Sequence, residues 1–194
     1  MTASPPLLLA MSTSSPALSI ALVAGPAVLA FRHELIGRGH AEALVPAIAA
    51  LLADQPRPQA IMVDIGPGSY TGIRIGIAAA RALGLAWGVP VTGAAALALV
   101  AAQAFADDPA LAQIMAVIDA GRGQPVGALV ARDGATPLAR VLTGLPVDAA
   151  RAGAGVQLLA PDAPTRHASH PDARFAGLAS PAALGLPTAL YLDD

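Results

Sequence analysis

Cysteine is absent from the 194 residues, so disulfide frameworks, thiol nucleophiles and thiolate metal sites are excluded. Lysine is absent too: all 11 basic residues are arginine. That removes Schiff-base chemistry and the lysine of a phosphate-binding P-loop. Aromatic residues make up 3% of the chain, and the net charge is −2 with both signs scattered. No basic footprint for direct nucleic-acid binding stands out. Two stretches lack charge altogether, residues 1 to 31 and 82 to 106. Ser12 to Ser15, Pro16 and Gly25-Pro26 interrupt the first, and Gly88, Pro90, Thr92 and Gly93 divide the second. Neither offers the ~20 unbroken apolar residues of a spanning helix. The start has no cationic lead into an apolar segment, so a soluble, untargeted, cytoplasmic protein is expected.

What is present reads as alternating strands and helices. "PLLLAMS", "ALSIALV" and "AVLAFRHE" form an antiparallel meander turned at Gly25-Pro26. "HAEALVPAIAALLAD" repeats its apolar residues at helical spacing. Pro46 is tolerable near the first turn, which puts the start of that helix at His40 or Ala41. "QAIMVDI" is a strand, a helix runs from about Tyr70 to Trp87, "PVTGA" is a strand and "AALALVAAQAFA" a helix. After "DDPA" three more strands follow, "QIMAVIDA", "PVGALVARD" and "TPLARVLT", with turns at Gly123-Gln124-Pro125 and Asp133-Gly134. "GVQLLA" is a candidate strand, "PDARFAGLA" a short helix and "TALYLDD" a terminal strand or tail. Two halves that open with the same run of strands suggest a duplicated α/β unit, divided into lobes 1–106 and 107–194.

The densest pattern is "GPGSYTGIRIG", residues 66 to 76. As a dinucleotide loop it fails. Gly66 and Gly68 fit the glycine spacing, but Thr71 stands where the third glycine belongs, and no acid lies between Asp64 and Asp107 to take a ribose. Pro67 removes an N–H from any phosphate cradle. The simpler reading is a turn in which Ser69 or Thr71 caps the following helix. Gly72, Gly76, Ala80 and Gly84 then recur every four residues, a stripe where another backbone can come close. Packing on the helix at 41 to 53 would use that stripe as well as a partner would. "VIDAGRG", Asp119 to Gly123, is an ordinary hairpin turn or a phosphate-approaching one. His167 and His170 in "HASH", even with Asp162 or Asp172, read as a solvated loop rather than a metal site.

"GPGSYTGIRIGIAAARALGLAWGVPVTGAAAL" strongly resembles the signature of the TsaB family, formerly YeaZ, the glycoprotease-like family. "LLLAMSTSSPALSIALV", "GRGHAEALVPAIAALLAD", "MAVIDAGRG" and "ALYLDD" resemble its opening hairpin, first helix, second-lobe strand and tail, in order. The resemblance implies an actin-like, sugar-kinase and heat-shock ATPase fold of two lobes, the second one short here. It implies a non-catalytic partner of the TsaD-type transferase that makes threonylcarbamoyladenosine on tRNA, with a TsaE-type ATPase in the same assembly. Homodimers through the first two helices are implied for the lone protein, and tRNA is reached indirectly.

The family usually has an Asp where Ser12 stands, and catalytic relatives have a metal-binding histidine pair where Ala96 and Val100 stand. Neither a catalytic residue nor a metal is therefore expected, and ATP only at a site shared with the partner. The expected contact residues are His40, Leu44, Ile48, Gly72, Ile73, Gly76 and Ala80, with Gly76→Leu sparing the fold and abolishing pairing. The alternative is an actin-fold ATP-dependent phosphotransferase or hydrolase, and a diverged homodimer outside the pathway is a third reading.

Overall fold

The computed structural model describes residues 5–119, 125–132, 139–143, 155–157, 166–167, 170–179, 184–185 and 188. The opening meander is β1 (Leu7–Ser12), β2 (Ala17–Ala24) and β3 (Ala27–Leu35). Then come α1 (His40–Leu52), β4 (Ala60–Asp64), α2 (Tyr70–Trp87), β5 (Val91–Ala94) and α3 (Ala96–Asp107). The second half holds β6 (Gln113–Asp119), β7 (Pro125–Ala131), β8 (Ala139–Thr143), β9 (Gly155–Gln157) and β10 (Arg166–His167). A 3₁₀ turn at Ala173–Leu178 and β11 (Leu184–Gly185) close it. Through β9 this is the element order the sequence predicts, with the 3₁₀ turn where a short helix is expected; β10 falls in a stretch read as loop, and β11 where no element is expected. The turns expected at Gly123-Gln124 and Asp133-Gly134, and the stretch after Thr188, lie outside the described residues.

Among the described residues the strands form two sheets, ordered β11-β5-β4-β1-β2-β3 and β10-β9-β6-β7-β8. In the first, β1 pairs antiparallel with β2 and parallel with β4, and β4 pairs parallel with β5. One face carries Leu9, Met11, Leu18, Ile20, Ile61 and Val63, covered by α1 and α2 through Leu44, Ile48, Ile73 and Ile77. The other face sets Ala10, Ala21 and Ala94 beside the larger Val23 and Met62, and meets Leu99 of α3 and Ala173 and Ala176 of the 3₁₀ turn. Short side chains on both sides of this contact let backbones come close.

Helix α3 turns Leu97, Val100, Ala101 and Phe105 onto the second sheet, against Ile114, Ile118 and Val126. It is thus apolar all round because sheet elements lie on both sides. That accounts for the part of the second charge-free stretch from Ala96 onward without a membrane, and no helix among the described residues is long and apolar enough to cross one.

The duplication is incomplete. The second half repeats the meander, β6-β7-β8, but β9 pairs with β6 antiparallel, where β4 pairs with β1 parallel. The chain after residue 107 also returns to the first sheet: the 3₁₀ turn packs on the face that carries Ala10 and Ala21, and β11 pairs with β5. Helix α1 begins at His40 as expected, although Pro46 falls inside it, beyond the first turn. Pro46 is exposed, so the carbonyl that loses its N–H partner there lies on the wet side of the helix.

Candidate functional site

Two loops meet at the ends of β1 and β4. The first, Thr13 to Pro16, joins β1 to β2; the second, Ile65 to Ser69, joins β4 to α2. Asp64 fastens them. Its carboxylate is buried and accepts bonds from the Ser12 hydroxyl at 2.6 Å, the Ser14 hydroxyl, and the Gly66 N–H at 2.8 Å. Burial pushes the Asp64 carboxyl above its ordinary range, outweighing the three donors that pull it down. Ser12 is thus a donor to the acid in this nest. Sequence reasoning passed over Asp64. Its signal was its isolation: a lone acid closing an apolar strand, followed by more than forty residues without another.

The second loop is shaped by Gly66, with φ 96°, and continues through Pro67, which is buried, and Gly68. A Cβ on Gly68 would overlap the Ser14 carbonyl oxygen. The Ser69 N–H donates to that same oxygen at 2.6 Å, and the Ser69 hydroxyl accepts from Gly72 N at 3.3 Å. Ser69 is therefore the helix cap; Thr71 is exposed and has no capping role. Gly88, with φ 68°, ends the helix.

The small-residue stripe of α2 lies against its own chain. A Cβ on Gly72 would overlap the Thr13 carbonyl, one on Gly76 would lie 2.7 Å from the Thr13 hydroxyl and 3.2 Å from Val63, and one on Gly84 would overlap Val91. Ala80 is fully buried. The expectation that this stripe stays open for a second polypeptide is corrected: the close backbone is that of the β1–β2 loop. With it go the expected contacts Gly72, Ile73, Gly76 and Ala80, and His40, Leu44 and Ile48 are buried beside them. Gly76→Leu therefore acts on the fold itself. The residues that α1 and α2 do expose are others, including Val45, Arg74, Ala78, Arg81, Ala82 and Leu85.

Beside the two loops opens a cavity of about 690 Å³, lined by residues that include Ser15, Arg38, His40, Ser69, Thr71, Ile118 and His170. His40 sits at its edge, with Nε2 3.4 Å from the Ala17 carbonyl. Ala96 and Val100 are both fully buried in α3. Among the described residues no group of three or more His, Asp or Glu could hold a metal ion.

Asp172, offered by sequence only as a partner for the "HASH" histidines, has a different use. It caps the 3₁₀ turn, takes two bonds from the Arg174 guanidinium at 2.9 and 2.6 Å, and lies 3.4 Å from the Ser19 hydroxyl. His33 joins the node through Nδ1, 2.9 Å from Ser19. His170 is driven below its ordinary pKa by burial and by His33. The side chains of Asp119 and His167 lie outside the described residues.

The family model for TsaD, tRNA N6-adenosine threonylcarbamoyltransferase, matches residues 33–183. The tRNA threonylcarbamoyladenosine biosynthesis protein TsaB of Bacillus subtilis is 36% identical over 121 residues, 60% of this chain and 52% of that protein. Its namesake in Escherichia coli is 33% identical over 130 residues, 65% of this chain and 55% of that protein. The chain thus spans about half the length of these curated relatives. The solved structure of YeaZ from Pseudomonas aeruginosa superimposes with a TM-score of 0.67 at 24% identity, covering 96% of this chain and all of that one. The two-lobed actin-like fold that the sequence implies is the fold shared with that structure.

Proposed function

Because this chain belongs to the TsaD family, on its TsaB branch, we propose that it is a non-catalytic partner of a TsaD-type transferase in the making of threonylcarbamoyladenosine on tRNA. The observation that carries this reading is the outer side of the α1–α2 pair. Helices α1 and α2 pack on the sheet with their large apolar residues and still leave Val45 and Leu85 exposed, 53% and 87%. Helix α2 also exposes Ala78, Ala82 and Ala86, small side chains that a helix from another protein can approach. A TsaE-type ATPase would join the same assembly, and tRNA would be reached through the transferase.

The test is a pair of charges on that side. In Val45→Glu/Leu85→Glu, the fold should keep its unfolding midpoint, since both side chains are exposed. Co-elution with a TsaD-type partner should be lost. Undiminished co-elution overturns the reading.

The 690 Å³ cavity beside the glycine loop is the observation that favours the alternative, an ATP-dependent phosphotransferase or hydrolase. Magnesium-dependent binding of ATP by the lone chain, measured by titration calorimetry, would support that reading against the first.

A further inference from the structure

The first sheet ends on β3, and among the described residues no strand pairs with its outer edge. The strand is nine residues long and exposes Val28, Leu29, Phe31 and Leu35. An edge of that length and apolarity is a template for another strand unless something blocks it. The usual blocks are charged side chains, lysine above all, proline and bulges; β3 has neither lysine nor proline, and its charges are Arg32 and Glu34, of opposite sign. Its one bulge is at Leu29, which is skipped between the Leu22–Ala30 and Val23–Val28 pairs; it lies near the turn to β2 and leaves Ala30 to Leu35 in regular pairing.

The two charges of β3 have opposite sign and flank His33. Arg32 and Glu34 bond to each other at 2.8 Å, both about half exposed, a surface pair that costs little to rearrange. If two copies of β3 run antiparallel about a two-fold axis at His33, Arg32 of each copy faces Glu34 of the other. The same register sets Phe31 opposite Leu35 twice. Opposite charges and apolar pairs directly across an antiparallel ladder are favourable, and like charges there are not. A two-fold joint needs a patch that complements itself, and this one does so in charge and in apolarity.

We propose that the outer edge of β3 joins two copies of this chain into one continuous sheet. The joint is on a strand edge, separate from the helix side proposed for the transferase.

Sedimentation of the full chain tests it, in the Val45→Glu/Leu85→Glu background so that the helix side plays no part. That chain should dimerise. Arg32→Glu alone, or Glu34→Arg alone, places like charges opposite each other twice and should raise the dimer dissociation constant about tenfold or more. Mixing the two single variants should restore association, because each supplies the charge the other lacks. The double exchange, R32E with E34R, should restore it within one chain. A second arm uses the absence of cysteine. His33→Cys should form a disulfide-linked dimer on mild oxidation, because residues directly opposite in an antiparallel pair lie within disulfide reach. A chain that stays monomeric in this background, a dimer indifferent to the charge reversals, or one that Arg32→Glu and Glu34→Arg do not re-form on mixing, overturns the proposal.

Discussion

The Thr13 hydroxyl donates to the Gly72 carbonyl at 2.7 Å, while the Thr13 carbonyl occupies the space where a Gly72 side chain would begin. One residue of the first loop thus both bonds the opening turn of α2 and requires it to be bare. The glycines of this helix are a seat for the β1–β2 loop.

Gly76→Leu should therefore destabilise the isolated chain. The added side chain must displace the Thr13 hydroxyl and Val63, and overpacking of that kind costs about 1–3 kcal/mol. Urea unfolding should show a lower midpoint. A variant that unfolds at the wild-type midpoint, and is defective only in binding a partner, would reinstate the open-stripe reading.

Asp64 gives a pH prediction. Its folded pKa is raised above the unfolded value of about 3.9, so above that pH the native chain keeps a proton that the unfolded chain has released. Stability should then fall as pH rises through this window and level off once the native carboxyl has ionised. Asp64→Asn cannot ionise and should lack this slope. Its amide can donate to the Ser12 and Ser14 hydroxyls, and its oxygen can accept from Gly66. Asp64→Ala strands those three groups, at about 1–3 kcal/mol for each one left buried without a partner. Unfolding midpoints of the three proteins between about pH 4 and about pH 8 decide it; an Asn variant with the wild-type slope assigns the titration to another group.

Arg132 closes the far end of α3. Its guanidinium bonds the carbonyls of Phe105 at 2.9 Å, Asp108 at 2.7 Å and Leu111 at 2.7 Å, and lies over the Phe105 ring. These include carbonyls that a helix end leaves without partners. Arg132→Met should cost about 1–2 kcal/mol, the low end for bonds to a charged group because the arginine is exposed. Arg132→Lys should recover only part, since one ammonium cannot span three carbonyls in a fork. Equal midpoints for the Met and wild-type chains would show the contact to be idle.

The order of elements was legible because it rests on local signals. Gly25-Pro26 marks a turn, the apolar spacing of Leu44, Ile48, Leu51 and Leu52 marks a helix, and Gly88 marks that of α2 ending. The direction in which α2 presents its glycines was not. Four-residue spacing says that a backbone comes close and is silent on whose backbone it is. The Ser19–Asp172 contact spans 153 positions, and no local pattern announces a bond of that range. The antiparallel β9 escaped for the same reason: strand character is written locally, pairing direction is not. Asp64 could have been found, by asking why a single acid should end an apolar strand.

The return of β11 to β5 makes the molecule a laced object. A protein cut after residue 107 would lose the thread that draws its first sheet shut, and Ala10 and Ala21, short because the 3₁₀ turn lies on them, would be left facing water. Neither half should be expected to survive on its own as a compact body, and a minimal version of this protein must keep both ends of the lace.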